Sequence, residues 1–214
     1  MKKNILTIAT FFIALTAFAQ SSTDAHTILN CVSTSFEASN GVRLNFTLHI
    51  IESSGDTFQA QAGEAMIRQN RFKLAMDDID VWFDGTTQWT LQRDIDEVYI
   101  STPTGDELAT ISPLALLGMY RSGFQLNAPV SQTVNGVSAH VIDMIPAPGN
   151  NDFRAVSVAI SQQTNTLVQV NLTMQNGMQT RIDITNYNAN HNFPDAYFVF
   201  NVGDFPGVEV IDLR

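Results

Sequence analysis

Three Asx-Gly pairs, Asp84-Gly85, Asn135-Gly136 and Asn176-Gly177, each stand between two short runs rich in apolar or β-branched residues. Such a pair supplies the positive φ angles of a two-residue turn, whose twist suits two adjacent antiparallel strands. The runs themselves agree with this. In residues 43–52, Leu44, Phe46, Leu48 and Ile50 fall on one face, and Arg43, Asn45, Thr47 and His49 on the other. This two-residue period marks a half-buried strand. Residues 58–69 read as a longer strand of small side chains, Ala60, Ala62, Gly63 and Ala65. Small residues there permit sharp curvature or the close approach of another element. Residues 71–77 place Phe72, Leu74 and Met76 on one face. Short strands continue to the C-terminus, with the last two expected over 197–202 and 208–213. The expectation is a mainly β (α+β) protein with one antiparallel sheet of about ten or eleven strands, curled so that few edges stay exposed.

Two segments break the pattern. Residues 23–38 repeat Ala25, Ile28, Leu29, Val32 and Phe36 at helical spacing, with Ser22 or Thr23 as the cap. Residues 111–120, ISPLALLGMY, begin with the cap-and-proline pair Ser112-Pro113 and then run apolar on nearly every side. A helix without a polar face has to be covered or has to cover something. It fits a plug or lid on the curled sheet, and it fits a core helix packed against that sheet. With two apolar helices to place, the economical position is lining or covering the concave face, where a sheet of this size leaves space that its own side chains do not fill.

Residues 1–19 read as a secretory signal. Lys2 and Lys3 precede an apolar stretch over 5–15, and Ala17-Phe18-Ala19 is a small-x-small cleavage site before Gln20. The expected mature chain, 20–214, is a single soluble domain and a monomer in the periplasm. The formal net charge of −10 disfavours nucleic acid and anionic membrane faces. With one cysteine, Cys31, the chain forms no internal disulfide. Cys31 is expected as a buried thiol on the first helix rather than as a lipid-anchor cysteine. His26, His49, His140 and His191 show no metal-ligand spacing. No nucleophile elbow or phosphate-cradling loop is present. The acidic runs 77–80 and 94–97 lack the spacing of a calcium loop and read as solvated turns. No enzyme activity and no cofactor are expected.

Read in order, several motifs resemble one family. Gly63-Glu64 through Arg68, then Val81-Trp82-Phe83-Asp84-Gly85-Thr86-Thr87-Gln88-Trp89, then Ser112-Pro113-Leu114-Ala115-Leu116-Leu117 are similar to segments of the outer-membrane lipoprotein carrier LolA family. Residues 205–214, FPGVEVIDLR, look like the ending of such proteins from one broad group of Gram-negative bacteria. The resemblance implies an unclosed β-barrel under a helical lid. It implies a carrier for acylated lipoproteins, loaded by an inner-membrane ATP-driven transporter and relieved by an outer-membrane acceptor. A lipid-binding or lipid-sensing module of the cell envelope on the same fold is the alternative. The family's arginine near the lid matches Arg68 as a lid latch. The usual arginine-proline pair is replaced by Arg68-Gln69, so Arg71 is a second choice.

A carrier for acyl chains calls for an apolar interior of adaptable side chains. With 14 Phe and 7 Met, the chain has them, and Met suits a surface that must repack. The expected lining is Phe72, Leu74, Met76, Trp82, Trp89, Met144 and, from the lid, Leu114, Leu116, Leu117 and Met119. Each of these also suits an ordinary closed core.

Overall fold

The computed structural model describes residues 16–104, 108, 120–121, 123–147 and 153–214, with side chains described from Ala25 onward. The chain opens with helix α1 (Thr16–Ala38). Six strands follow: β1 (Val42–Ile51), β2 (Gln61–Arg68), β3 (Arg71–Met76), β4 (Ile79–Phe83), β5 (Gln88–Gln92) and β6 (Glu97–Ser101). Seven more complete the described set: β7 (Phe124–Leu126), β8 (Val130–Val134), β9 (Val137–Pro146), β10 (Phe153–Ser161), β11 (Leu167–Met174), β12 (Gln179–Asn188) and β13 (Glu209–Asp212). All belong to one sheet in the order β13-β6-β5-β4-β3-β2-β1-β12-β11-β10-β9-β7, with β8 also pairing β9. The two ends do not meet, so the barrel is unclosed. The strand count exceeds the expected ten or eleven, partly because β7, only three residues long, carries no turn signal of its own.

The turns behave as their residues dictate. Gly85 has φ +103°, and Asn135 and Gly136 have φ +51° and +78°. Only the β13–β6 pair is parallel among the described pairs. That arrangement needs a long crossover, and residues 189–208 supply it by running across the sheet. They form no strand over 197–202. Two 3-10 turns, Asp195–Phe198 and Val202–Asp204, stand there instead. Pro194 leads into the first, and the Asn201 side chain caps the second by accepting the Gly203 N–H. The aromatic residues that suggested a strand are used one at a time, as anchors.

Alternation sorts the sheet into two faces. Leu44, Phe46, Ala65, Ile67, Phe72, Leu74, Val81, Val170 and Ile182 join one large buried cluster on the inner face. The α1 stripe Ala25, Leu29, Val32 and Phe36 belongs to the same cluster. Cys31 lies off that stripe and is exposed, which corrects the buried thiol expected from the sequence. Tyr120 and Leu108, on either side of the long apolar run, also join this cluster. The Tyr120 hydroxyl donates to Asn30 Oδ1 of α1. Residues 111–119, including Leu114, Leu116, Leu117 and Met119, lie outside the described residues. So does most of the expected leader.

The outer face is buried in a second way. Trp82, Leu91 and Val98 form a separate cluster with Trp89, Phe200, Phe205 and Val208. The crossover before β13 therefore acts as a strap. Its Phe200 and Phe205 rings stand edge-on to Trp82 at 5.3 and 5.7 Å. Lys73 Nζ lies 4.9 Å from the Trp82 ring and 5.3 Å from the Tyr197 ring.

Candidate functional site: an apolar hollow

The inner face encloses a cavity of about 460 Å³. Its described lining comes from β1, β2, β3, β4, β5, β11 and β12. Strands far apart in the sheet order face the same space, so the sheet curls around it. β1 contributes Leu44, Phe46, Leu48 and Ile50, and β12 contributes Thr180, Ile182 and Ile184. β3 and β4 add Leu74, Met76, Ile79 and Val81. Among the described residues no charged side chain lines the hollow; the polar ones are Gln88, Thr90 and Thr180. A volume of this size falls within the range of small-molecule pockets, which are mostly apolar with a few placed polar groups.

The hollow depends on close approach at one point. Gly63 pairs with Phe46 across β1 and β2. A Cβ at residue 63 would stand 2.3 Å from Phe46 Cζ. The small-residue strand therefore makes room for a ring, as its composition predicts.

The expected site residues separate into groups. Leu74 and Met76 line the hollow. Phe72 shares their face but packs its ring against Phe83, 5.2 Å away, in the closed core. Met144 is buried in the same core on β9 and does not reach the lining. Trp82 and Trp89 are a correction. They pair across β4 and β5 on the outer face, beneath the strap. Apolar alternation alone does not tell a sheet's two faces apart when both are covered.

Arg68 also takes a different position from the expected lid latch. On β2, Ala65 and Ile67 point to the hollow, so Arg68 points outward. Its guanidinium donates to the Phe193 carbonyl and to Asp195 Oδ1 of the strap. Arg71, the second choice, sits 2.9 Å from Asp195 Oδ2. Hydrogen bonds from Arg71 and Arg68 hold the Asp195 carboxyl below its usual range. Gln69, where the family pattern has proline, has φ +57°, which a proline ring forbids.

Other charged groups stand on the outer face as well. Arg43 pairs with Glu64. Asp183 accepts from Asn135 Nδ2 at 2.8 Å and Gln169 Nε2 at 2.7 Å, with His49 Nε2 3.2 Å away. Arg181 Nε is also 3.2 Å from Asp183, though not in hydrogen-bonding geometry. Burial raises the Asp183 pKa, but these hydrogen bonds and the Arg181 and His49 charges outweigh it and leave the carboxyl below its usual range. The acidic turns are not uniformly solvated either, because Asp80 is buried on the outer face and paired with Arg93. Among the described residues, no three His, Cys, Asp or Glu side chains are grouped to hold a metal.

Sequence reasoning missed Gln88 and Thr90. They occupy the alternate positions of a strand whose Trp89 drew attention to the other face. Gln88 is buried; its Nε2 donates to Thr90 Oγ1 at 3.1 Å, while its Oε1 has no hydrogen-bond partner among the described residues. The signal was the strand pairing itself. With Val81 facing inward, its neighbour Thr90 across the turn must face inward too.

One open sheet curled around an apolar hollow defines an unclosed-barrel β-protein. The profile of the family described as outer membrane lipoprotein carrier protein LolA matches residues 15–178, and the chain belongs to that family. The stretch 205–214, read from the sequence as a family ending, lies beyond the matched region. An uncharacterized conserved protein from Thermus thermophilus has a similar structure at TM-score 0.57 and 10% identity, covering 88% of this chain and 99% of its own. A DUF1329 family protein from Desulfovibrio piger is similar at TM-score 0.51 and 11% identity, covering 84% and 97%. These likenesses show a shared fold. No curated protein matches the chain. Among the described residues, no helix is long and apolar enough to cross a membrane.

Proposed function

We propose that the chain is a periplasmic carrier that takes the acyl chains of lipoproteins into the hollow and ferries them from the inner to the outer membrane. The observation that carries this reading is the hollow itself, which is apolar, uncharged among its described lining residues and built from the inner face of one open sheet. Family membership supports it. Loading falls to an ATP-driven transporter of the inner membrane and release to an acceptor in the outer membrane. The carrier works as a monomer, and its role is binding, with no catalytic step.

The energetics suit a shuttle. Each buried methylene stabilises by about 0.8 kcal/mol, so a fully covered long acyl chain contributes on the order of 10 kcal/mol. Association and ordering costs remove several kcal/mol of that. A hollow that covers part of a multi-chain lipid thus binds usefully and still lets an acceptor of greater apolar capacity win.

A photo-crosslinking residue placed at Met76 or Ile182 in cells tests the proposal. The expected product is a crosslink to acylated lipoprotein, lost when the cargo's acylated cysteine is replaced by serine. Equal crosslinking of the unacylated cargo, or none to the acylated one, overturns it.

A further inference from the structure

The hollow has a length and a volume, and the two agree on what fits. On β1, Leu44, Phe46, Leu48 and Ile50 all line it. From Leu44 to Ile50 a strand covers about 20 Å. On β12, Ile184, Ile182 and Thr180 run alongside, opposite Phe46, Leu48 and Ile50. Leu44 and Phe46 are buried while Leu48 and Ile50 are part-exposed, so the hollow deepens toward Leu44. An extended backbone advances about 3.5 Å for every three bonds, or roughly 1.2 Å a bond. A straight hydrocarbon chain advances at a similar rate, so about sixteen or seventeen carbons match the length of the hollow. Volume is an independent measure. A protein cavity of about 150 Å³ takes one benzene, roughly 25 Å³ for each carbon. On that scale the 460 Å³ of the hollow takes about eighteen carbons. Spread over about 20 Å, the volume gives a cross-section of about 23 Å², and one extended chain fills about 21 Å² on the same scales.

The wall has little freedom to widen. Leu44, Ala65, Leu74, Val81 and Thr90 form one row across five strands, each opposite the next in the backbone ladder. All five line the hollow. We propose that the hollow is one acyl chain wide. It takes a single straight chain of about sixteen to eighteen carbons, end first toward Leu44, and leaves any other chain of the same lipid outside. This inference rests on the acyl-binding reading of the hollow and adds how many chains, and of what length, the hollow accepts.

Lysophosphatidylcholines with straight saturated chains test the length. Each is titrated, below its micelle concentration, against a solvatochromic probe bound to the full mature chain. The concentration that displaces half of the probe is expected to fall about fourfold for each added methylene. It should stop falling at about sixteen to eighteen carbons. A second pair tests the width. Diheptanoylphosphatidylcholine and tetradecanoyl-lysophosphatidylcholine share a headgroup and carry the same number of acyl carbons. The one-chain lipid is expected to displace the probe at a concentration about a hundredfold lower or better, because only one of the two short chains finds cover. Ala65 stands opposite Leu44 at the deep end. Ala65→Leu should shorten the limiting length by about three carbons, and Leu44→Ala should lengthen it by about three. A cooperative thermal transition shows that each variant is folded, and the parent series decides the matter if one is not. Displacement that keeps improving beyond about twenty carbons, or levels off by about twelve, overturns the one-chain proposal while leaving the acyl site intact. So does equal displacement by the two lipids of the second pair, or a limiting length that neither folded variant moves. Displacement by no lipid overturns the acyl site, and the one-chain proposal with it.

Discussion

Gly63 shows how much one absent methyl group can decide. A Cβ there would meet the Phe46 ring at 2.3 Å, and the ring, itself part of the lining, would have to swing into the hollow. Gly63→Ala is expected to cost about 1–3 kcal/mol, as overpacking does, and to weaken binding of acyl probes. Denaturant midpoints and probe displacement measure the two effects, and unchanged binding would show that the ring moves elsewhere. On the outer face, Asp80 is 3% exposed and Arg93 Nε donates to its Oδ2 at 3.2 Å. Arg93→Ala strands that carboxylate. Because Arg93 is half exposed, the expected loss is about 2 kcal/mol, below the range for a fully buried pair. Its readout is the urea unfolding midpoint. At this scale the sequence is partly legible. A glycine among alanines announces a close approach, whereas Gln88 looks like any surface glutamine until its strand's register is known.

The strap is the element that sequence reasoning misread most. β5 reads Gln-Trp-Thr-Leu-Gln, and Trp89 is the residue expected in the hollow's lining. Trp89 is half-buried and its strand neighbour Leu91 buried, both against a crossover that comes far later in the chain, at Phe200 to Val208. Local pattern says that a face is covered and does not say by what. The aromatic run near residue 200 suffers the same ambiguity, since strand and strap use the same residue types. Asp195 ties the strap to Arg68 and Arg71, and its depressed pKa sets a direction. That contribution is present above the ordinary carboxylate pKa of about 4 and is lost as pH falls through the lower folded value. Both tryptophans lie in the strap's cluster, so their emission reports it. Asp195→Asn should shift emission to the red at neutral pH, and acidification below about pH 4 should do the same to the parent. Emission that stays put in the variant would show that the aromatic anchors hold the strap unaided.

At the scale of the molecule, the legible part was the order of the motifs, which pointed to the family and to an open barrel. The hairpins β4–β5, β8–β9 and β11–β12 follow from their Asx-Gly turns. The pairing of β1 with β12 does not, because nothing local in either strand names a partner so distant. Without that pairing Ile182 and Ile184 could not be placed in the hollow, and neither was expected there. A ligand that fills the hollow should stabilise the whole sheet by mass action, about 2.7 kcal/mol at a hundred times its Kd. For a chain of this size that raises Tm by roughly 5–10 °C. Scanning calorimetry with and without an acyl amphiphile checks it, and no rise at saturating ligand would count against a site inside the fold.

The β1–β12 seam also governs the order in which the chain can mature. β1 is among the first segments made, yet Arg43 lies opposite Asn188 and Ile51 opposite Gln179. Until β12 is made the two half-sheets have no common edge, and until the strap follows it Trp82 and Trp89 have no cover. Contacts of such long sequence separation make for slow folding. A chain still lacking β12 and the strap therefore leaves the edge of β1 unpaired and the Trp82 side of its first half-sheet uncovered.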